Sequence, residues 1–170
     1  MNYSQINTTD VVNGRGVRVS LFVSGCTIHC KGCFNPDAWN FCYGSSYTNE
    51  TESEILQGLN HPYIKGLSIL GGEPYDQDPA VLVSLVEKVR SLYPEKDIWI
   101  WTGYEFDEIR NHPLTKYMDV AVCGRFIMDQ RDISANNPWR GSRNQRIVLV
   151  QDSLRTSNTV LMPDIPNNTI

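Results

Sequence analysis

Gly66-Leu67-Ser68-Ile69-Leu70-Gly71-Gly72-Glu73-Pro74 is a short apolar run closed by a glycine pair. Asp78-Pro79 then opens a stretch to Leu92 in which Val81, Leu82, Leu85, Val86 and Val89 share one helical face. Asp97-Ile98-Trp99-Ile100-Trp101 follows and is closed by Thr102-Gly103. The spacing predicts a buried strand, a helix capped by Asp78 with Pro79 at its first position, and a second strand. Strand, helix and strand in that order imply parallel strands, a right-handed crossover and helices on the outside.

Working outward, Asp119 to Val122 and Arg146 to Val150 read as third and fourth strands. Glu52 to Leu59 is a weak helical pattern stopped by Pro62, and Glu105 to Ile109 a short helix stopped near Pro113. Upstream, the alternation in Val17-Arg18-Val19-Ser20-Leu21-Phe22-Val23 marks another strand. In such folds ligands collect at the carboxyl ends of the strands. The glycine-marked ends Gly25-Cys26, Gly71-Gly72 and Thr102-Gly103 are therefore expected to face one cavity. A chain of 170 residues is expected to form one domain. The tail from 151 to 170, rich in Asn, Thr and Pro, is not assigned an element.

The alternating strand runs into Cys26-Thr27-Ile28-His29-Cys30-Lys31-Gly32-Cys33, a C-x3-C-x2-C loop. Five cysteines, three of them clustered, do not make a disulfide framework; in a reducing compartment they point to metal. An iron–sulfur cubane is ordinarily held by one thiolate per iron. Three cysteines leave one iron without a protein ligand, and an open metal position is where reaction occurs. Two other readings stay open on the residues alone: structural zinc with His29 or Cys42 as fourth ligand, and a cluster that only carries electrons. A net charge of −4 and a pI near 5.3 give no global attraction to nucleic acid or to an anionic membrane. No apolar run approaches the roughly 18 residues that span a bilayer, so a soluble, cytoplasmic protein is expected.

The cysteine loop followed by Phe34, with Gly71-Gly72-Glu73-Pro74 after the next strand, resembles the radical S-adenosylmethionine superfamily. Val12-Asn13-Gly14, Trp39-Asn40, Trp101-Thr102-Gly103-Tyr104, Gly124-Arg125-Phe126 and Trp139-Arg140-Gly141-Ser142-Arg143-Asn144-Gln145-Arg146 are similar, in order, to the activating proteins of anaerobic (class III) ribonucleotide reductases. These stretches reach from about residue 12 to 150, so residues 1–150 form the superfamily domain in this comparison. Cys123 stands where that family commonly has an acidic residue, and Arg15 where Pro often follows Asn-Gly.

The resemblance implies an incomplete (β/α) barrel of mostly parallel strands. It implies a 4Fe–4S cluster on Cys26, Cys30 and Cys33, with S-adenosylmethionine chelating the remaining iron. Gly71, Gly72 and Glu73, the backbone of Gly32, Cys33 and Phe34, and Thr102 would contact that cofactor. The implied activity is reductive cleavage of S-adenosylmethionine and formation of a glycyl radical on the reductase large subunit. A one-electron donor such as a flavodoxin-like protein would supply the electron. An activase of the pyruvate formate-lyase type is the alternative within the superfamily. Arg125, Arg131, Arg140, Arg143 and Arg146, with Trp139, read either as a solvated loop or as a docking surface, Arg125, Trp139 and Arg140 first among them. Cys42 and Cys123 read as idle thiols, and at least one of Trp99 and Trp101 as core.

Overall fold

The structure is a computed structural model that describes residues 1–134 and 138–163. Its elements in chain order are β1 (Asn2–Asp10), β2 (Val17–Ser24), β3 (Ser45–Ser46), α1 (Asn49–Leu59), β4 (Ile64–Gly71), α2 (Pro79–Leu92), β5 (Asp97–Thr102), α3 (Phe106–Ile109), β6 (Val120–Cys123), β7 (Arg146–Leu149) and α4 (Val150–Thr156). They build an α/β fold around one seven-stranded sheet in the order β3-β1-β2-β4-β5-β6-β7.

The central strands β2, β4, β5 and β6 run parallel, as the alternation of elements implies. Antiparallel strands flank them: β1 on β2, β3 on β1, and β7 on β6. All three differ from the sequence reading, in which β1 and the two-residue β3 have no counterpart. β1 carries the polar run Asn-Tyr-Ser-Gln-Ile-Asn-Thr-Thr-Asp, with no clear alternation, and is held chiefly by its backbone ladder to β2. β7 is reversed because the chain between Cys123 and Arg146 returns to the sheet edge it left, so those two residues pair. The strand stops at Leu149 and Val150 begins α4. The tail from 151 is described as far as Pro163, with Leu161 bridging to Val148; residues 164–170 lie outside the described residues.

Side-chain alternation gives the sheet two different faces. Val19, Leu21, Val23, Leu67, Ile69, Ile98, Ile100, Ala121 and Val148 share one buried cluster with Ile55 and Leu59 of α1 and Leu82, Leu85, Val86 and Val89 of α2. α1 begins at a capping box between Thr48 and Thr51, and Asp78 caps α2 by accepting from the Ala80 N–H at 3.0 Å. The other face carries Trp99, Val120, Val122 and Ile147, against which Trp101 and Trp139 pack. Trp99 is therefore core, stacked on Trp101 at 5.8 Å and met edge-on by Trp139 at 5.0 Å.

One charged side chain ties this second face together. Arg18 of β2 is fully buried beneath Trp99. Its guanidinium donates to Ser68 Oγ at 2.7 Å and the Leu67 carbonyl at 2.9 Å, and lies 2.6 Å from Asp97 Oδ1. It thus links β2, β4 and β5 at the edge opposite the cysteine loop. Burial pulls the Arg18 pKa down, and Asp97 pulls it back up. Asp97 is the better solvated partner, its side chain 28% exposed. Removing Asp97 strands a buried cation, whereas removing Arg18 leaves an anion that water can reach. Asp97→Ala should therefore cost about 3 kcal/mol in urea unfolding, and Arg18→Met less than that.

Candidate functional site at the carboxyl ends of the parallel strands

The parallel strands β2, β4, β5 and β6 end at one edge, and the first three each deliver a candidate site residue there. The cysteine loop leaves β2, Glu73 follows β4, and Thr102 closes β5. The glycine-marked ends thus meet as the sequence implies. Backbone contacts fix the first two relative to each other. Gly72 N–H donates to the Val23 carbonyl at 2.7 Å, and Glu73 N–H to the Gly25 carbonyl at 2.8 Å. A Cβ on Gly72 would lie 2.4 Å from the Gly25 oxygen, so no side chain fits. Gly71 adds φ +109°, in the region that favours glycine. The Gln77 amide donates to the carbonyls of Gly25 and Glu73 at 3.0 and 2.9 Å, closing the joint.

The loop itself is fastened at its start and along its flank. Gly25 and Cys26 N–H donate to the carbonyls of Ala38 and Trp39 at 2.8 and 3.2 Å. Asp76 Oδ2 accepts from Thr27 N–H at 2.6 Å and Thr27 Oγ1 at 2.7 Å, and its other oxygen accepts from the Tyr104 hydroxyl at 2.7 Å. Ile28 lies so near Gly103 that a Cβ there would be 2.6 Å from its Cδ1. Cys33 N–H turns back onto the Cys30 carbonyl at 3.1 Å. Cys26, Cys30 and Cys33 are half-buried free thiols. His29 adopts φ 50° and stacks on Trp39 at 4.6 Å, and Cys42 is exposed.

Glu73 is the electrostatic centre of the site, 1% exposed. Its Oε1 accepts from Thr102 Oγ1 at 2.8 Å and Tyr75 N–H at 3.1 Å, and its Oε2 from Gly103 N–H at 2.8 Å. Burial outweighs these donors and pushes the carboxyl up to about 7. Burial also raises Cys26, helped by the charges of Glu73 and Asp76 and opposed by the N–H groups of His29 and Ile28. Cys123, buried at the end of β6, is pushed up to about 12, chiefly by burial.

The structure separates the remaining candidates. Phe34 projects outward, 86% exposed. Arg125 is exposed beyond β6, while Trp139 sits against Trp99 and its carbonyl accepts from Trp101 Nε1 at 2.8 Å. Asp76, Tyr104 and Gln77 were not singled out from sequence. An Asp and a Gln after Glu-Pro read as ordinary turn residues, and only the fold brings them to the loop.

Residues 12–148 match the family described as "4Fe-4S single cluster domain". The anaerobic ribonucleoside-triphosphate reductase-activating protein of Enterobacteria phage T4 is 43% identical over 148 residues, covering 86% of this chain and 93% of its own. That of Pasteurella multocida (strain Pm70) is 44% identical over 154 residues, covering 86% and 96%. That of Escherichia coli (strain K12) is 41% identical over 150 residues, covering 85% and 96%. This chain belongs to the family of anaerobic ribonucleoside-triphosphate reductase-activating proteins. The sequence resemblance holds at that level, and a 4Fe–4S cluster domain comes with it.

The activating-protein loop fits a cubane in its donor chemistry: three free thiols on one strap, with Gly25 and Gly32 at φ +105° and +77° letting it fold back. Among the described residues no three His, Cys, Asp or Glu side chains converge as ligands of a single metal ion. Thiolates that each bind a different iron of a cubane do not need to converge on one point. No helix among the described residues is long and apolar enough to cross a membrane.

Asp76 is expected to hold the loop ready for metal. Asp76→Ala should speed amide exchange at Thr27 and lower the iron taken up in anaerobic reconstitution, with little change in thermal midpoint. Unchanged exchange at Thr27 would show that the loop is held by its ends alone.

Proposed function

We propose that the chain is a radical S-adenosylmethionine oxidoreductase that activates the anaerobic ribonucleoside-triphosphate reductase by placing a radical on one of its glycines. The observation that carries this reading is a loop of three thiols joined by the backbone to a buried carboxylate, Glu73, at the end of the next parallel strand. In this reading Cys26, Cys30 and Cys33 would hold the 4Fe–4S cluster and leave one iron without a protein ligand, where S-adenosylmethionine would bind. The chemistry supplied on reduction is one-electron cleavage of the sulfonium to methionine and a 5′-deoxyadenosyl radical, which removes a hydrogen atom from a glycine Cα.

The protein's own residues bind, orient and exclude water. Glu73 accepts from the methionine amino group, and a charge-assisted bond there is about twice as strong as a neutral one. Its three existing donors hold its orientation before the cofactor arrives. Thr102 contacts the cofactor through the same hydroxyl that now donates to Glu73. Gly71 and Gly72 let the backbone approach closely, and the backbone of Gly32, Cys33 and Phe34 lies against the adenine. Arg125, Trp139 and Arg140 belong to the segment that faces the reductase. A flavodoxin-like protein or a similar one-electron donor supplies the electron. We read the sheet as an incomplete barrel, a shape supported by its parallel centre and by β3 and β7 standing at opposite ends of the strand order.

Anaerobically reconstituted protein should be brown and should give methionine and 5′-deoxyadenosine on reduction with S-adenosylmethionine. With the reductase present, electron paramagnetic resonance should show a glycyl radical. Colourless protein holding one zinc would end this reading. Cys26→Ala, Cys30→Ala and Cys33→Ala should each abolish cleavage, while Cys42→Ala and Cys123→Ala retain it.

A pH dependence follows from Glu73. With its carboxyl at about 7 in the empty site, the acceptor form gains population as pH rises from 6 to 8. S-adenosylmethionine binding should strengthen over that range by up to about tenfold per unit below the pKa. Glu73→Gln should bind more weakly and with a flatter profile, measured by titration calorimetry at fixed iron content.

A further inference from the structure

Residues 124–134 and 138–145, between β6 and β7, form an arm on the same sheet edge as the cysteine loop. Its base is tied down. Gln145 donates to the Gly124 carbonyl at 2.9 Å and accepts from Gly141 N–H at 2.8 Å. The Asn144 amide donates to the Arg125 carbonyl at 2.8 Å. Ser142, fully buried, accepts from Ile127 N–H at 3.2 Å, and Arg131 bridges to Ser142 across the arm. Backbone bonds from Arg143 to Gln130 at 2.9 Å and from Asp132 to Gly141 at 3.2 Å complete it.

An arm held this firmly by polar contacts has no folding reason to present apolar side chains to water. Yet Ile127, Met128 and Ile133 are 38%, 46% and 76% exposed. Met128 meets the cysteine loop directly: a Cβ on Gly32, between Cys30 and Cys33, would lie 2.7 Å from Met128 Cε. Phe34, the most exposed large apolar residue described, stands two residues further along that loop. Met128 therefore joins the arm to the cysteine loop, with Ile127 and Ile133 exposed on the same arm, and exposed apolar side chains gathered in this way mark interaction sites.

Charge identifies the partner chemistry. Positions 125 to 146 hold five arginines and two aspartates in a chain whose net charge is −4. Arg125, Arg131, Arg143 and Arg146 are exposed. A basic, apolar surface on an acidic protein fits an apolar segment ringed by acidic side chains. We propose that this arm, through Ile127, Met128, Ile133, Arg131 and Arg143, is the docking surface for the reductase, receiving an acidic, apolar segment next to the glycine that is attacked. The inference rests on the proposed activity for its geometry, because a glycine must be brought to the cysteine loop. It adds that recognition lies outside the cofactor pocket.

The test uses cluster-loaded protein and intact reductase under anaerobic conditions, with Ile133→Asp, Ile127→Asp and Arg131→Glu/Arg143→Glu. Each variant should bind the reductase at least tenfold more weakly and give a correspondingly smaller glycyl radical signal. S-adenosylmethionine cleavage without reductase, driven by dithionite, should stay within twofold of the parent. Binding by the parent should weaken as salt rises, and binding by the double arginine variant should respond less. Undiminished affinity and radical yield in all three variants would overturn the proposal. So would a change in the variants from dimer to monomer by light scattering, because the arm would then join two copies of this chain. Absence of cleavage in the parent itself, with arm-dependent binding intact, would count against the proposed activity and not against the docking surface.

Discussion

The site depends on two backbones lying closer than any side chain permits. Gly71 to Glu73 run against Val23 to Gly25 with hydrogen bonds of 2.7 and 2.8 Å, and a single methyl on Gly72 would collide with the Gly25 carbonyl. Because β2 and β4 pair in parallel up to Val23 and Gly71, both chains leave the sheet at one level. The position of Cys26 relative to Glu73 is therefore set by main-chain geometry. Side chains only refine it, through the Gln77 amide and the Asp76 carboxylate.

Two carboxylates three residues apart have opposite environments, and this divides their roles. Asp76 receives hydroxyl and amide donors from Thr27 and Tyr104 at the loop's flank and acts as a fastener. Glu73 is buried, and even three donors do not offset its loss of water, as its rise to about 7 records. A buried acceptor left in that state favours an arriving amino group over water, because the ligand supplies the charge complement that burial withheld. In the proposed reading, folding leaves Glu73 incompletely compensated and cofactor binding completes it.

The sequence was most legible where periodicity and chemistry coincide. The helix from Pro79 to Leu92, capped by Asp78, stands where the apolar spacing places it, and the strand ends at Gly71 and Thr102 meet at one edge. The cysteine spacing has few other uses, whereas Gly71-Gly72-Glu73-Pro74 alone reads as an ordinary turn and gains meaning only when joined to that loop across a strand. β1 was not readable, since its polar residues gain their structure from a ladder with β2 that no local signal announces. The reversal of β7 was hidden for a similar reason: direction depends on where the preceding arm returns, which is a property of the whole sheet. Asp76, Gln77 and Arg18 carry ordinary turn or strand chemistry, and their partners lie about fifty residues away in the chain.

The reversed strand also explains the position of the arm. A fifth parallel strand after β6 would require a crossover to the far edge of the sheet, carrying the intervening residues away from the cysteine loop. Antiparallel pairing of Cys123 with Arg146 instead leaves those residues at the loop's own edge, where Met128 reaches Gly32. The same sheet stops at the two-residue β3 on one side and at β7 on the other. A strand so short is a poor template for edge-to-edge pairing. The topology thereby keeps the arm beside the thiols, and in the proposed activity a substrate that is itself a protein needs that edge open.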